Sequence, residues 1–304
     1  MVTIKHSKLL NIFFNNLIGK SREDLIEEIA TTVQSRAPPP FDVERISKLY
    51  PTSYEESMNT VLVQELIRYN KLLIDMAESL ANVKKALRGK IVMSDELEKL
   101  ANSLSDNLVP RNWEDKGFLS MKPLSSWVED LNRRVSFLNE WIEEGTPKVF
   151  WISGFFFPQA FITGTLQNFA RKHFIAIDKL GFDFKILDNL SYTDIQEKPA
   201  DGCYIYGMYL EGSKWDPKKH IINQSKPKEL FCDLPLMHLM PVADRVTPSE
   251  GIYNCPLYKV VSRQGTLSTT GHSTNFVMFI EMPSRESEEV WVKAGVAAFL
   301  GLRY

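Results

Sequence analysis

The chain has 304 residues, 44% of them hydrophobic, with 36 Lys and Arg against 38 Asp and Glu for a formal net charge of -2. That balance gives no overall field for steering onto nucleic acid or an anionic membrane, and no apolar run approaches the ~18 residues that a membrane span needs. The length suits about two domains, and the three cysteines, odd in number and far apart, fit a reducing compartment rather than a disulfide framework.

A soluble, intracellular protein is therefore expected. Asn11, Asn15 and Asn16 interrupt the first apolar run, and no small-residue cleavage site follows, so no targeting signal is read there. The opening also lacks the logic of a domain start, which suggests a piece of a longer protein.

A short helical pattern runs from Leu9 to Leu17. Ser21 and Asp24 then make a capping-box-like start for a helix that puts Leu25, Ile26, Ile29, Ala30 and Val33 on one face and ends at Pro38, Pro39 and Pro40. A short helix through Val43, Ile46 and Leu49 closes at Pro51. The longest element spans roughly Glu55 to Leu87, with Leu62, Leu66, Tyr69, Leu73, Met76, Leu80, Val83 and Leu87 in a heptad-like seam. A second stripe, Val63, Ile67, Ile74, Ala77 and Ala81, widens the apolar surface, which favours packing on several neighbours over a free two-stranded coiled coil. Gly89 ends it. Ser94 caps a helix through Leu97, Leu100, Ala101 and Leu104; Trp113 anchors an irregular segment from Pro110 to Pro123; and Leu124, Trp127, Leu131, Val135, Leu138, Trp141 and Ile142 form an amphipathic helix ending at Gly145.

The middle of the sequence, Val149 to Lys172, joins two regimes. A short buried strand (Phe150, Trp151, Ile152) turns at Gly154, crosses three phenylalanines and restarts as a helix with Pro158 in its first turn, where a missing N–H costs nothing. Its expected buried face is Phe161, Ile162, Leu166, Phe169 and Ala170. Beyond it the apolar period changes to two: Phe182 to Ile186, Cys203 to Leu210, Leu234 to Met240, Leu257 to Val261, Asn275 to Met282 and Trp291 to Leu300 read as strands, with Gly295 marking a bulge or bend in the last. Strands in sequence without intervening helices imply an antiparallel sheet curled into a sandwich or barrel. The fold class is α+β, with a helical subdomain over residues 1–147 and a helix-plus-strand subdomain over 148–304.

No catalytic constellation emerges. Gly19-Lys20-Ser21 resembles the end of a phosphate loop, but Phe14 occupies the place of its first glycine and no strand precedes it. Cys203, Cys232, His238, Cys255 and His272 lack the paired spacing of a structural zinc site, and His238 reads as a satisfied buried histidine. Ser153, Ser268 and Ser273 lack an elbow motif. Lys214, Lys218, Lys219, His220, Lys226 and Lys228 fall in one loop, a solvated stretch or a contact for an acidic protein surface.

Several strings carry a resemblance: SMNTVLVQELIRYNKLL from Ser57 to Leu73, WISGFFFPQAFITGTLQNFARK from Trp151 to Lys172, DGCYIYGMYLEGSKWD from Asp201 to Asp216, and GTLSTTGHSTNFV from Gly265 to Val277. Together with LSSWVEDL, PLMHLMP and YNCPLYK, they make nearly the whole sequence similar to the C-terminal region of axonemal dynein heavy chains. The resemblance implies a helical subdomain followed by a partly open antiparallel β-barrel lying on the motor's AAA+ ring, in the cytoskeleton of a ciliary or flagellar axoneme. It implies a regulatory and structural module, not an enzyme. ATP and Mg would belong to the parent ring, and microtubules and other dynein subunits would be met through the parent polypeptide, with no cofactor, metal, nucleic acid or membrane bound here. The candidate docking loop is Gly265, Thr266, Gly271, His272, Ser273 and Asn275. The competing expectation is a ligand- or partner-binding barrel with its own apolar pocket near Tyr204, Tyr206 and His272.

Overall fold

The computed structural model describes residues 21–188, 190–246, 248, 250–263 and 275–303. These divide into two compact units. One holds the described residues through Val43, Leu66–Leu138 and Arg303; the other holds Glu44–Glu65 and Asn139–Leu302.

The first unit is helical. Helix α1 (Arg22–Arg36) opens on a full capping box: Asp24 N donates to Ser21 Oγ at 3.1 Å and Ser21 N to Asp24 Oδ2 at 3.3 Å. Helix α2 (Val43–Leu49) falls almost wholly in the second unit, and the long helix α3 (Ser57–Leu87) begins there; from Leu66 on, α3 belongs to the first unit and buries its seam, with Leu66, Tyr69, Leu73, Met76, Leu80 and Val83 shielded from water. The flanking stripe is not part of that core. Ile67 and Ile74 are 42% and 46% exposed, so the apolar surface is narrower than its composition implied. The seam is flanked instead by buried Leu72 and Ala86 and by polar ties, as Trp113 Nε1 donates to Ser79 Oγ at 2.9 Å and Asn70 pairs with the backbone of Phe41. Helices α4 (Asp95–Ser105), α5 (Arg111–Lys116) and α6 (Leu124–Glu144), the last as far as Leu138, complete the set, with α5 forming inside the segment expected to be irregular. Trp113, Phe118 and Trp127 stack at 5.4–6.0 Å, and the Arg134 guanidinium lies 3.9 Å over Phe118. Arg134 is buried yet bonded to Asp130 at 2.9 Å. Burial works against the Asp130 charge, but Arg134 and Lys122 prevail and hold its carboxyl below the usual aspartate range.

The second unit carries every described strand and helix α7 (Pro158–His173). One sheet has the order β1-β3-β8-β2, where β1 is Val149–Trp151, β2 Leu180–Leu187, β3 Cys203–Tyr206 and β8 Leu236–Ala243. A second has the order β10-β9-β11-β4-β7, where β4 is Tyr209–Glu211, β7 Phe231–Asp233, β9 Ile252–Val260, β10 Phe276–Pro283 and β11 Ala297–Gly301. A third is the hairpin β5 (Ser213–Asp216) with β6 (Ile221–Gln224).

This α+β architecture departs from the expected strands in three ways. First, the sheets are mixed rather than antiparallel: β1 pairs β3, and β11 pairs β9, in parallel. Parallel neighbours need a long crossover, supplied here by α7 and β2 in one case and by β10 and helix α8 (Glu288–Lys293) in the other. Second, the run from Trp291 to Leu300 is not one strand. Trp291 belongs to α8, and Gly295, at φ +68°, lies beyond that helix's end rather than in a bulge. Third, Cys203 to Leu210 breaks at Gly207 (φ +93°), where the backbone leaves the first sheet for the second; a Cβ at this glycine would stand 2.4 Å from the Trp151 ring. No described sheet closes on itself.

Candidate docking surface

The middle stretch is held from an unexpected direction. Glu65, fully buried on α3, accepts from Phe156 N at 2.5 Å and Phe157 N at 3.0 Å, satisfying two backbone donors just before Pro158 opens α7. The phenylalanines then separate. Phe155 packs with Phe150 and Phe161 at 4.7–6.3 Å, while Phe157 is 41% exposed. The inward face of α7 is Phe161, Gly164, Thr165 and Ala170; Ile162, Leu166 and Phe169 are only half-buried, contrary to the spacing argument. Small residues replace them because α3 comes close: a Cβ on Gly164 would meet Met58 at 3.0 Å and Val61 at 3.3 Å.

Polar side chains tie the start of α3 to α7. Ser57 N donates to Asn168 Oδ1 at 2.8 Å, Asn168 Nδ2 to Glu56 at 2.6 Å, and Arg171 Nη1 to Ser57 Oγ at 2.7 Å, while the Arg171 guanidinium stands 4.3 Å over the Tyr54 ring. Helix α7 ends at Phe174, left-handed at φ 56° and 96% exposed.

Of the expected docking loop, Gly265, Thr266, Gly271, His272 and Ser273 lie outside the described residues. Asn275 is described and fully buried: Val260 N donates to its Oδ1 at 3.0 Å, and Lys259 N to its backbone carbonyl at 2.8 Å. It is a clamp beside β9, not an exposed contact. The basic segment is only in part a loop, since Lys226 and Lys228 lie in irregular backbone beyond Gln224 but the residues before them do not. Its Lys214 and His220 belong to the β5–β6 hairpin, where Asp216 accepts from the turn amides of Lys218 and Lys219 at 3.1 and 3.3 Å, and buried Asp188 takes hydrogen bonds from Trp215 Nε1 and His220 Nδ1.

Near Tyr204 the structure places a cavity of about 270 Å³ with Phe150, Thr165 and Cys203 on its walls and Lys172 and Asp201 among its polar lining. Tyr204 itself faces His238 at 4.8 Å, whose Nε2 lies 2.9 Å from the Asp201 carbonyl, and Tyr206 stacks on Tyr192 at 4.3 Å. Lys172 is engaged by Asp201 and the Ala200 carbonyl, both at 2.7 Å. Burial pushes the Cys203 and Cys255 thiols up to about 12, so neither is a ready thiolate. Among the described residues no group of three or more His, Cys, Asp or Glu is placed to hold a metal, and no helix is long and apolar enough to cross a membrane.

A family model for the C-terminal domain of the dynein heavy chain matches residues 5–300. The protein belongs to that family. It is 52% identical to rat (Rattus norvegicus) "Dynein axonemal heavy chain 1" over 94% of its own length and 6% of the relative's. It is 47% identical to human (Homo sapiens) "Dynein axonemal heavy chain 3", with 93% of its own length and 7% of the relative's matched, and 44% identical to mouse (Mus musculus) "Dynein axonemal heavy chain 12", with 91% and 9% matched. The sequence thus spans less than a tenth of the length of these relatives. Within the domain, Gly19 and Lys20 lie outside the described residues, and Ser21 caps α1.

Proposed function

We propose that this domain is a non-catalytic regulatory and structural module at the C-terminal end of an axonemal dynein heavy chain, in the cytoskeleton of a cilium or flagellum. It packs on the AAA+ ring of the same polypeptide and tunes a motor whose ATP, Mg and microtubule sites lie in the rest of that polypeptide. The observation that carries this reading is the family match across nearly the whole sequence, together with relatives named as axonemal heavy chains. A module that contacts a ring differently in its two conformations shifts the balance between them without chemistry of its own.

The finer architecture follows the same reading. We take residues 148–304 as a partly open barrel subdomain following a helical subdomain of residues 1–147. Support comes from the approach of β10 to β2 and β6, and from Arg245, which bonds Asp183 of β2 at 2.5 Å and Glu281 of β10 and so ties two sheets together. Gly265, Thr266, Gly271, His272 and Ser273 remain the proposed docking loop, with Asn275 as its anchor.

The test is to add the purified 304-residue protein to a dynein ring that lacks its own C-terminal domain, measuring binding and microtubule-stimulated ATPase rate. Binding with a changed rate is expected. A folded protein that neither binds nor alters the rate refutes the regulatory role.

A further inference from the structure

Two concavities of about 590 Å³ each lie along α7 and meet at Tyr54, Gln167 and Arg171. Their apolar lining is open to water: Tyr54 is 77% exposed, Phe157 41%, Phe174 96% and Ile177 41%. Single exposed apolar residues mean little, but four along one concave strip mark a surface built for a partner. The strip follows a helix of 16 residues, ~24 Å at 1.5 Å per residue, which is room for about four turns of a second helix.

The charges are one-sided. Among the described residues no Asp or Glu lines either concavity, and the only charged side chain that does is Arg171, which belongs to both. Its guanidinium is already oriented by the Tyr54 ring on one side and Ser57 Oγ on the other, yet among the described residues it forms no ion pair. A held guanidinium loses little further freedom when a carboxylate arrives, so it favours a bidentate acid over a neutral ligand.

We propose that this groove seats an apolar helical segment of the same dynein polypeptide, one with an Asp or Glu that pairs with Arg171. The inference rests on the functional reading above and gives the module one specific contact. A second copy of the protein fits poorly, because a two-fold contact would set this patch against itself and offer Arg171 no acid. A segment of the same polypeptide fits better: the relatives are more than ten times longer, and a tethered partner needs only a modest groove because its effective concentration is high.

Hydrogen exchange over residues 167–177 tests this in the full-length heavy chain against the isolated 304-residue protein. We expect about tenfold slower exchange in the full-length protein, lost in Arg171→Glu and in Phe174→Ser. Both substitutions replace side chains at the surface or its edge, and exchange elsewhere reports whether each variant is folded. Equal exchange in the two proteins, with the domain still bound to the ring, overturns the groove while sparing the functional reading. Absence of any ring binding overturns both. Protection that grows with the concentration of the isolated domain assigns the groove to a second copy and overturns the proposal.

Discussion

Glu65 shows what a single buried carboxylate does here. It sits between Leu62 and Leu66 on the packed side of α3, where an apolar residue would be the ordinary choice, and it takes the amides of Phe156 and Phe157. In Glu65→Gln one acceptor oxygen becomes an NH₂ group facing a donor, so a loss of ~2 kcal/mol is expected from chemical denaturation. Asp130 bears a comparable role with a pH signature. Its folded carboxyl titrates below the usual range, so the stability it contributes is complete above the unfolded aspartate pKa and lost as pH falls through the lowered folded value. Asp130→Asn should cost ~3 kcal/mol near neutrality, because Arg134 stays buried without its acid. Its melting temperature should also fall less steeply than the parent's between about pH 5 and about pH 2. Neither role was legible in the sequence, where spacing arguments weigh apolar residues and treat acids on helices as solvated. The Ser21 and Asp24 cap was legible, because both partners lie within one turn.

At the scale of elements, local signals did well wherever the partner was local. The seam of α3 was readable from its four-three spacing, but the neighbouring stripe was not separable from it by composition. Adjacent residues give a direct contrast. Leu73→Ala should cost ~2 to 5 kcal/mol, while Ile74→Ala should stay within about 0.5 kcal/mol, both read from denaturant midpoints. A similar loss at both positions would mean that the stripe is packed after all. The β5–β6 hairpin was missed because its strands are four residues each and its fixing acid, Asp188, lies 27 residues before Trp215. The parallel pairing of β11 with β9 was hidden for another reason: a six-residue helix rich in Val and Trp reads like the strand that follows it.

For the molecule as a whole, the family was legible because long strings of specific residues survive in order, whereas sheet closure depends on contacts far apart in sequence. Arg245 is one such contact. Its 14% exposed side chain links Asp183 with Glu281, and Arg245→Met would leave Glu281, itself 12% exposed, without its cation. We expect a loss of ~3 kcal/mol and faster hydrogen exchange in Leu180–Leu187, with the β9–β11 pairing slower to respond. Uniform acceleration across both sheets would show that they open as one.

The two compact units interleave along the sequence, and this sets the order in which they can be completed. During synthesis Glu44–Glu65 leaves the ribosome early, then waits while Leu66–Leu138 is made before the rest of its own unit begins at Asn139. Until Phe156 and Phe157 arrive, the Glu65 carboxylate lacks their amides, and Met58 and Val61 lack the α7 surface that Gly164 lets approach. A polypeptide truncated before α7 would therefore expose apolar helix from its first half, making the product a client for chaperones and proteases rather than a smaller working domain.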